Sequence, residues 1–399
     1  GWQERLYASP ERVRYVEEVL GHGPQQSISE HRLKEVLGRA LRELLLRCRE
    51  RRTWRFADGQ LEWWHSLLTT LEADLLWQAR MLEVAREAAF SPKAKARWAE
   101  AIEAIARAPK YAGQKWPTGE RLTPQLGLLP LGENPATGLW EFVHLQTGTE
   151  PTLGPDGRVL RDGEGKLALT PESGMIVVLL PGGRVPTDEN EASLQRDWIT
   201  RVDLDPFFLS SCELTHEQWD RVSLRRGFHY GADRPLVPAN NNSWNDIAAM
   251  LQRGLGWCDF PSQARWEYGC RAGTTSSWWP GNDSKLLAGV ANVDYSEPNR
   301  RHYPDIQSVG SLRPNAFGLH DVYGNVWELC GDVHLGSDAT PRKSDGLIDG
   351  GADTLEYRVA RGAAWHMPAV EAQSSFTGGE KSVSRSHTVG VRLSIHVTP

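Results

Sequence analysis

The chain has 399 residues, a net charge of −6, 40% hydrophobic residues and 17 tryptophans, which is material for one large aromatic-rich domain with an extension, or for two domains. The acidic balance argues against a dedicated nucleic-acid site, and neither a signal-like opening nor an apolar run of the ~18 residues of a membrane span is present. Five cysteines (Cys48, Cys212, Cys258, Cys270, Cys330) stand outside any C-x-x-C spacing and read as reduced, mostly buried thiols of a cytoplasmic protein.

Residues 1–110 read as a helical region. They carry 19 Lys+Arg against 16 Asp+Glu, leaving 26 against 35 for the rest. Ser27 and Glu30 form an S-x-x-E capping box, followed by Leu33, Val36, Leu37, Ala40, Leu41, Leu44 and Leu45 at helical spacing up to the basic run Arg47 to Arg52. A second helix is predicted from about Leu61 to Ala89, with Trp64, Leu68, Leu71 and Leu75 on one face. Ser91-Pro92 is an N-cap with proline at the first helical position, opening a third helix that ends before Pro109. His22, His31 and His65 lack the spacing of a helical metal motif, so packing, or docking of an upstream domain, is the expected role.

Residues 111–173 are rich in Gly, Pro and turn formers. Leu139 to Leu145 alternates as a strand, and Gly154-Pro155-Asp156-Gly157 is a turn. This reads as a β-rich lead-in packed on the main domain, which occupies residues 174–399. Trp219, Trp244, Trp257, Trp266, Trp278, Trp279, Trp327 and Trp365 recur through the main domain, and most are expected in the core. Glu267 and Arg271 are expected to be buried partners.

The chain is organised around Asn315 to Glu328, Asn-Ala-Phe-Gly-Leu-His-Asp-Val-Tyr-Gly-Asn-Val-Trp-Glu. Apolar residues interrupted by glycine and Asn/Asp at this frequency imply a tight irregular loop with its side chains turned inward. The stretch resembles the N-x-[FY]-G-L-x-D-M-x-G-N-V-W-E-W signature of the formylglycine-generating enzyme (sulfatase-modifying factor) family. Gly174 to Gly183, Phe207 to Trp219, Pro238 to Ala248, Phe260 to Gly273, Val359 to Trp365 and Val389 to Leu393 resemble the family's other motifs, in the family's order. The resemblance implies an α+β, C-type-lectin-like domain with irregular loops, preceded here by the helical N-terminal region.

The family's activity is oxidation of a substrate cysteine to formylglycine, using copper held by two cysteines near the C-terminal end. A thiolate pair is the requirement, because soft sulfur selects Cu(I). This chain has no cysteine after Cys330, so no copper is expected and no catalytic residue is assigned. Neither the Ser382 to His387 stretch nor the His366 and His387 pair makes a triad or a metal set on sequence grounds. The resemblance also implies a structural calcium at Asp321, Gly324, Val326 and Glu328, through carboxylates and backbone carbonyls. Equally, Asp321 and Glu328 could simply accept from the loop's own N–H groups. A second family calcium site would involve Asn292 and Val293, but Asp294 to Ile306 departs from the pattern.

Between Trp365 and Arg392 the framing motifs survive while the content follows no helical or strand period. This resembles the variable proteins of diversity-generating retroelements, which display a randomised C-terminal segment on a lectin-like frame. The segment at about residues 363–388, and His366, Met367, Val370, Glu371, Thr377, Glu380, Lys381, Val383, Ser384, Arg385 and His387 within it, form the expected binding set for a protein or other macromolecular ligand. The competing expectations are an ordinary surface loop of a catalytically silent, fixed-ligand or sensory module, and a copper-dependent oxidase.

Overall fold

A computed structural model describes residues 77–117, 119–186, 199, 202–223, 230–231, 233–255, 257–294, 305–334, 341–349 and 357–398. The predicted Ser27–Glu30 capping box, the helix after it, Cys48 and the three N-terminal histidines lie outside the described residues, as do residues 295–304.

Residues 77–90 are helical, and α1 follows at Pro92–Arg107. The Ser91 side chain accepts from the Ala94 N–H and Pro92 takes the first helical position, as predicted from those two residues. Ala94, Trp98, Ala101 and Ile105 are buried at three- and four-residue spacing, giving one apolar stripe. That stripe lies on β1 (Leu128–Asn134) and β2 (Leu139–His144). Trp98 Nε1 donates to the Leu128 carbonyl at 3.1 Å and its ring packs 5.2 Å from Phe142.

The main sheet has six strands in the order β1-β2-β3-β6-β12-β7, with β3 at Met175–Leu180, β6 at Phe207–Ser210, β7 at Cys258–Asp259 and β12 at Ser394–His396. Met175 to Leu180 is buried at every position, which explains its continuous apolar run at the sheet's interior. The short pair β4 (Gly183–Arg184) and β5 (Asp203–Leu204) stands apart. Because β12 joins β6 and β7, the chain's last residues are tied into the core after the C-terminal segment has left it.

A second sheet runs β10-β9-β8-β11, with β8 at Trp327–Val333, β9 at Tyr357–Arg361, β10 at Gly378–Lys381 and β11 at Val389–Gly390. Of the helices, α4 (Gln263–Arg271) packs on β8 and β9, α3 (Trp244–Gly254) lies against β7 with its Trp244 donating to the Cys330 carbonyl of β8, and α2 (His216–Val222) is tied by Gln218 and Arg221 to the Ser173, Thr147 and Pro171 carbonyls. Both α2 and α3 open on a complete capping box, Thr215 with Gln218 and Ser243 with Asp246. Trp219, Trp266, Trp278 and Trp327 are buried, whereas Trp244, Trp257, Trp279 and Trp365 are half-buried. Among the described residues no helix is long and apolar enough to cross a membrane.

Candidate functional site

The loop from Asn315 to Val326 is inward-facing, with Leu319, Val322, Tyr323 and Val326 essentially inaccessible. Its backbone turns through positive φ at Gly318, Asp321, Gly324 and Asn325. Gly324 is required: an added Cβ would stand 1.9 Å from the Asn292 carbonyl oxygen. Two asparagines staple the loop. Asn315 Oδ1 accepts from the Phe317 and Leu319 N–H groups while its Nδ2 donates to the Gly269 and Cys270 carbonyls. Asn325 Oδ1 accepts from Asn292 Nδ2 and the Gln307 N–H, and its Nδ2 donates to Glu213 Oε1.

Behind this loop lies a buried charge network. Arg392 donates from Nε to Glu328 Oε2 at 2.9 Å and from Nη2 to Glu328 Oε1 at 2.8 Å, and its remaining N–H groups reach the Ser210 and His320 carbonyls. Trp266 Nε1 donates to the same Glu328 Oε2 at 2.6 Å. Asp321 Oδ2 accepts from the Gly310 N–H. Burial raises the Asp321 carboxyl to about 7. Burial, then the neighbouring Asp321 and Glu328 carboxylates, pushes Glu213 far above the usual range, and Glu213 Oε2 has no hydrogen-bond partner. Three acids therefore face one guanidinium, which favours protons on two of them.

The residues that the resemblance assigns to calcium stand together in this loop, and both oxygens of Glu328 accept from Arg392. Both lone pairs of Glu328 Oε2 are engaged by Trp266 and Arg392, and the cation beside this carboxylate is a guanidinium. The predicted carbonyl donors Gly324 and Val326 stand in the loop, but Glu328 turns toward Arg392. Among the described residues no group of three His, Cys, Asp or Glu side chains is placed to hold a metal. The described cysteines Cys212, Cys258, Cys270 and Cys330 are buried free thiols, and burial raises the pKa of each. Cys258 Sγ sits 3.5 Å from His144 Nε2, but burial lowers His144 to about 3. That pair is a neutral contact rather than an ion pair that would activate the thiol.

The C-terminal segment is held by three anchors. At its start, buried Arg361 pairs with Glu267, itself paired with Arg271, and donates to the Ser374, Ser375 and Phe376 carbonyls and to Thr377 Oγ1. In the middle, the Ser382 and Ser386 carbonyls accept from the backbone N–H groups of Asn245 and Asn241, at 3.1 and 2.8 Å. At its end, β11 runs parallel to β8, and the Trp327 N–H donates to the Thr388 carbonyl.

The sequence reading found no period here, and the structure corrects it. From Gly379 to Thr388 exposure alternates strictly: Lys381, Val383, Arg385 and His387 are exposed, whereas Ser382, Ser384, Ser386 and Thr388 are half-buried. Turns closed by the Ser384 N–H on the Lys381 carbonyl and by the Val389 N–H on the Ser386 carbonyl bracket this stretch. Ser-x-Ser-x-Ser-x-Thr was the available signal. The period there is small against large rather than apolar against polar.

The expected binding residues divide accordingly. Lys381 lies 5.6 Å over the Tyr357 ring, Val383 is 69% exposed at a turn, and His387 stacks obliquely 5.3 Å from Tyr230 and 6.3 Å from Trp365. Val370 is exposed in the 3-10 turn Ala369–Ala372, with Glu371 half-buried beside it. Met367 packs against the core, and its carbonyl accepts from the Asp294 N–H. His366 is half-buried 4.9 Å from the Trp365 ring, and desolvation followed by His387 lowers its pKa. Thr377 is bonded to Arg361, Glu380 is half-buried opposite Arg358 in β9, and Ser384 belongs to the inner row. Arg385 makes a two-pronged ion pair with Asp246, at 2.7 and 2.8 Å, and Asp246 also closes the Ser243 capping box. Asp246, Tyr230 and Tyr357 were not among the predicted residues. Asn240 fixes Tyr230 by bonding both its N–H and its carbonyl.

The domain-family description "Sulfatase-modifying factor enzyme 1-like domain" matches residues 166–397. The formylglycine-generating enzyme of Thermomonospora curvata is 27% identical over 143 residues, covering 33% of this chain and 46% of that enzyme. The chain thus spans less than half of that relative's length. Among solved structures, Treponema denticola variable protein 1 is 18% identical with a TM-score of 0.43, covering 56% of this chain and 96% of its own. PvdO from Pseudomonas aeruginosa is 23% identical with a TM-score of 0.45, covering 62% and 100%.

Proposed function

The chain belongs to the sulfatase-modifying factor enzyme 1-like domain family, and we propose that it is a non-catalytic, ligand-binding member whose C-terminal segment is a diversified recognition surface for a protein or other macromolecule. The observation that carries this reading is the attachment of residues 381–388. Their anchors are the main-chain hydrogen bonds from the Asn241, Asn245 and Trp327 N–H groups and one side-chain pair, Arg385 with Asp246, so most outward side chains can change without unmaking the frame. The sequence adds that the region after Trp365, where the resemblance would place the copper-binding cysteines, contains no cysteine.

Two measurements test it. Sequencing codons 363–388 of this gene across natural isolates should find substitutions concentrated there and absent from residues 315–328; an invariant segment would leave a fixed-ligand module instead. Incubating the purified chain with Cu(I) and a cysteine-containing sulfatase peptide should give no formylglycine. Turnover would restore the oxidase reading.

A further inference from the structure

Resting on that binding reading, we infer that α3 couples the C-terminal segment to helix 77–90, so that what the segment binds and how that helix is seated depend on one another. The two ends of α3 carry the two joints. At its start the Asn245 N–H donates to the Ser382 carbonyl at 3.1 Å, the Asn241 N–H just before the helix donates to the Ser386 carbonyl at 2.8 Å, and Asp246 takes the Arg385 guanidinium. At its other end lies Gly254. A Cβ added there would stand 2.2 Å from Cη2 of Trp77, so the indole rests directly on the helix backbone. Buried Gln146 closes this joint: its Nε2 donates to the Gly254 carbonyl at 3.0 Å and to the Met81 carbonyl at 2.9 Å, and its Oε1 accepts from Trp257 Nε1 at 3.0 Å.

Helix 77–90 stands outside residues 166–397, where the family description matches, yet it is built into the fold. Ala85, Ala88 and Ala89 are inaccessible, and the Gly127 N–H donates to the Ala85 carbonyl at 2.9 Å. Between its joints α3 is a stiff rod of eleven residues, ~16 Å of continuous main-chain hydrogen bonding. A displacement imposed at one end is passed along the rod, because bending α3 would open its own hydrogen bonds. Binding that pulls on Ser382, Arg385 or Ser386 is therefore felt at Trp77 and Gln146, and coupling between two sites is reciprocal. This gives the helical region ahead of the matched domain a role. It is where occupancy of the recognition surface is read.

Hydrogen–deuterium exchange of the full chain, resolved to single amides by mass spectrometry, tests this without a ligand. Trp77→Ala, which lifts the ring from Gly254, should speed exchange at the Asn241 and Asn245 amides by about threefold or more, while the Trp219 and Ser223 amides at α2 keep the parent's rates. In the reverse direction, Arg385→Asp sets a carboxylate against Asp246. It should speed the Gly127 amide, whose acceptor is the Ala85 carbonyl of helix 77–90, by a similar factor. Should Trp77→Ala fail to fold, Trp77→Phe carries the same test with a smaller ring removed. Acceleration confined to the altered end in either direction, or shared equally by α2, would overturn the coupling. Such a failure would leave the binding reading standing, because no ligand enters the experiment and the sequencing of codons 363–388 tests that reading separately.

Discussion

Glu328–Arg392 and Asp246–Arg385 are both carboxylate–guanidinium pairs joined by two hydrogen bonds, and they behave as opposites. The first has side chains 1% exposed on both partners, the second 31% and 62%. Removing one member of the buried pair strands a charge away from water, whereas the surface pair is solvated and screened whether or not it forms. The contrast extends to the regions they serve. Residues 315–328 with Arg392 form a frame in which nearly every polar atom has a prescribed partner, while residues 381–388 hang from that frame by their backbone.

The comparison breaks first at Arg392. Arg392→Met should destabilise the domain by about 3–5 kcal/mol in urea unfolding, and adding Glu328→Gln should recover part of that loss. A single-variant cost no larger than that of a surface pair would erase the distinction. Next, Gly324→Ala should cost about 2–4 kcal/mol, since the added methyl meets the Asn292 carbonyl at a positive φ.

The frame should also titrate in a definite direction. The folded state holds Asp321 at about 7 against an ordinary carboxyl near 3.8, so its contribution is fully present below about pH 4 and is lost as pH rises through 7. His144, depressed to about 3, acts oppositely, its contribution fading as pH falls below about 6.5. Unfolding midpoints of Asp321→Asn should therefore decline less than those of the parent between pH 5 and 8. A parallel decline would show that Asp321 does not hold the proton.

Smaller effects test the remaining contrasts. Calcium or EDTA should leave the midpoint of thermal unfolding unchanged, because Arg392 already occupies the carboxylate that the family resemblance assigns to calcium; a saturable rise that Glu328→Gln abolishes would reverse this. Arg385→Ala should cost little, and that cost should vanish as ionic strength increases.

Much of the frame was legible in the chain itself. Ser91-Pro92 announces α1, Leu139 to Leu145 announces β2, and the Gly/Asn pattern from Asn315 announces an inward-facing loop, which gives way to β8 at Trp327, because caps, periodicity and positive-φ residues are local physics. Arg385 was assigned to binding on its chemical type, but it is paired with a residue 139 positions away. The inner and outer rows were equally hidden, since the donors that orient them, Asn241 and Asn245, belong to another element. The sequence by itself determined the start of α1, the strand β2 and the irregular loop, each encoded within a few residues. Only the tertiary structure decided which carboxylate meets which arginine and which side of residues 381–388 faces outward, because those depend on hydrogen bonds closed between distant parts of the chain.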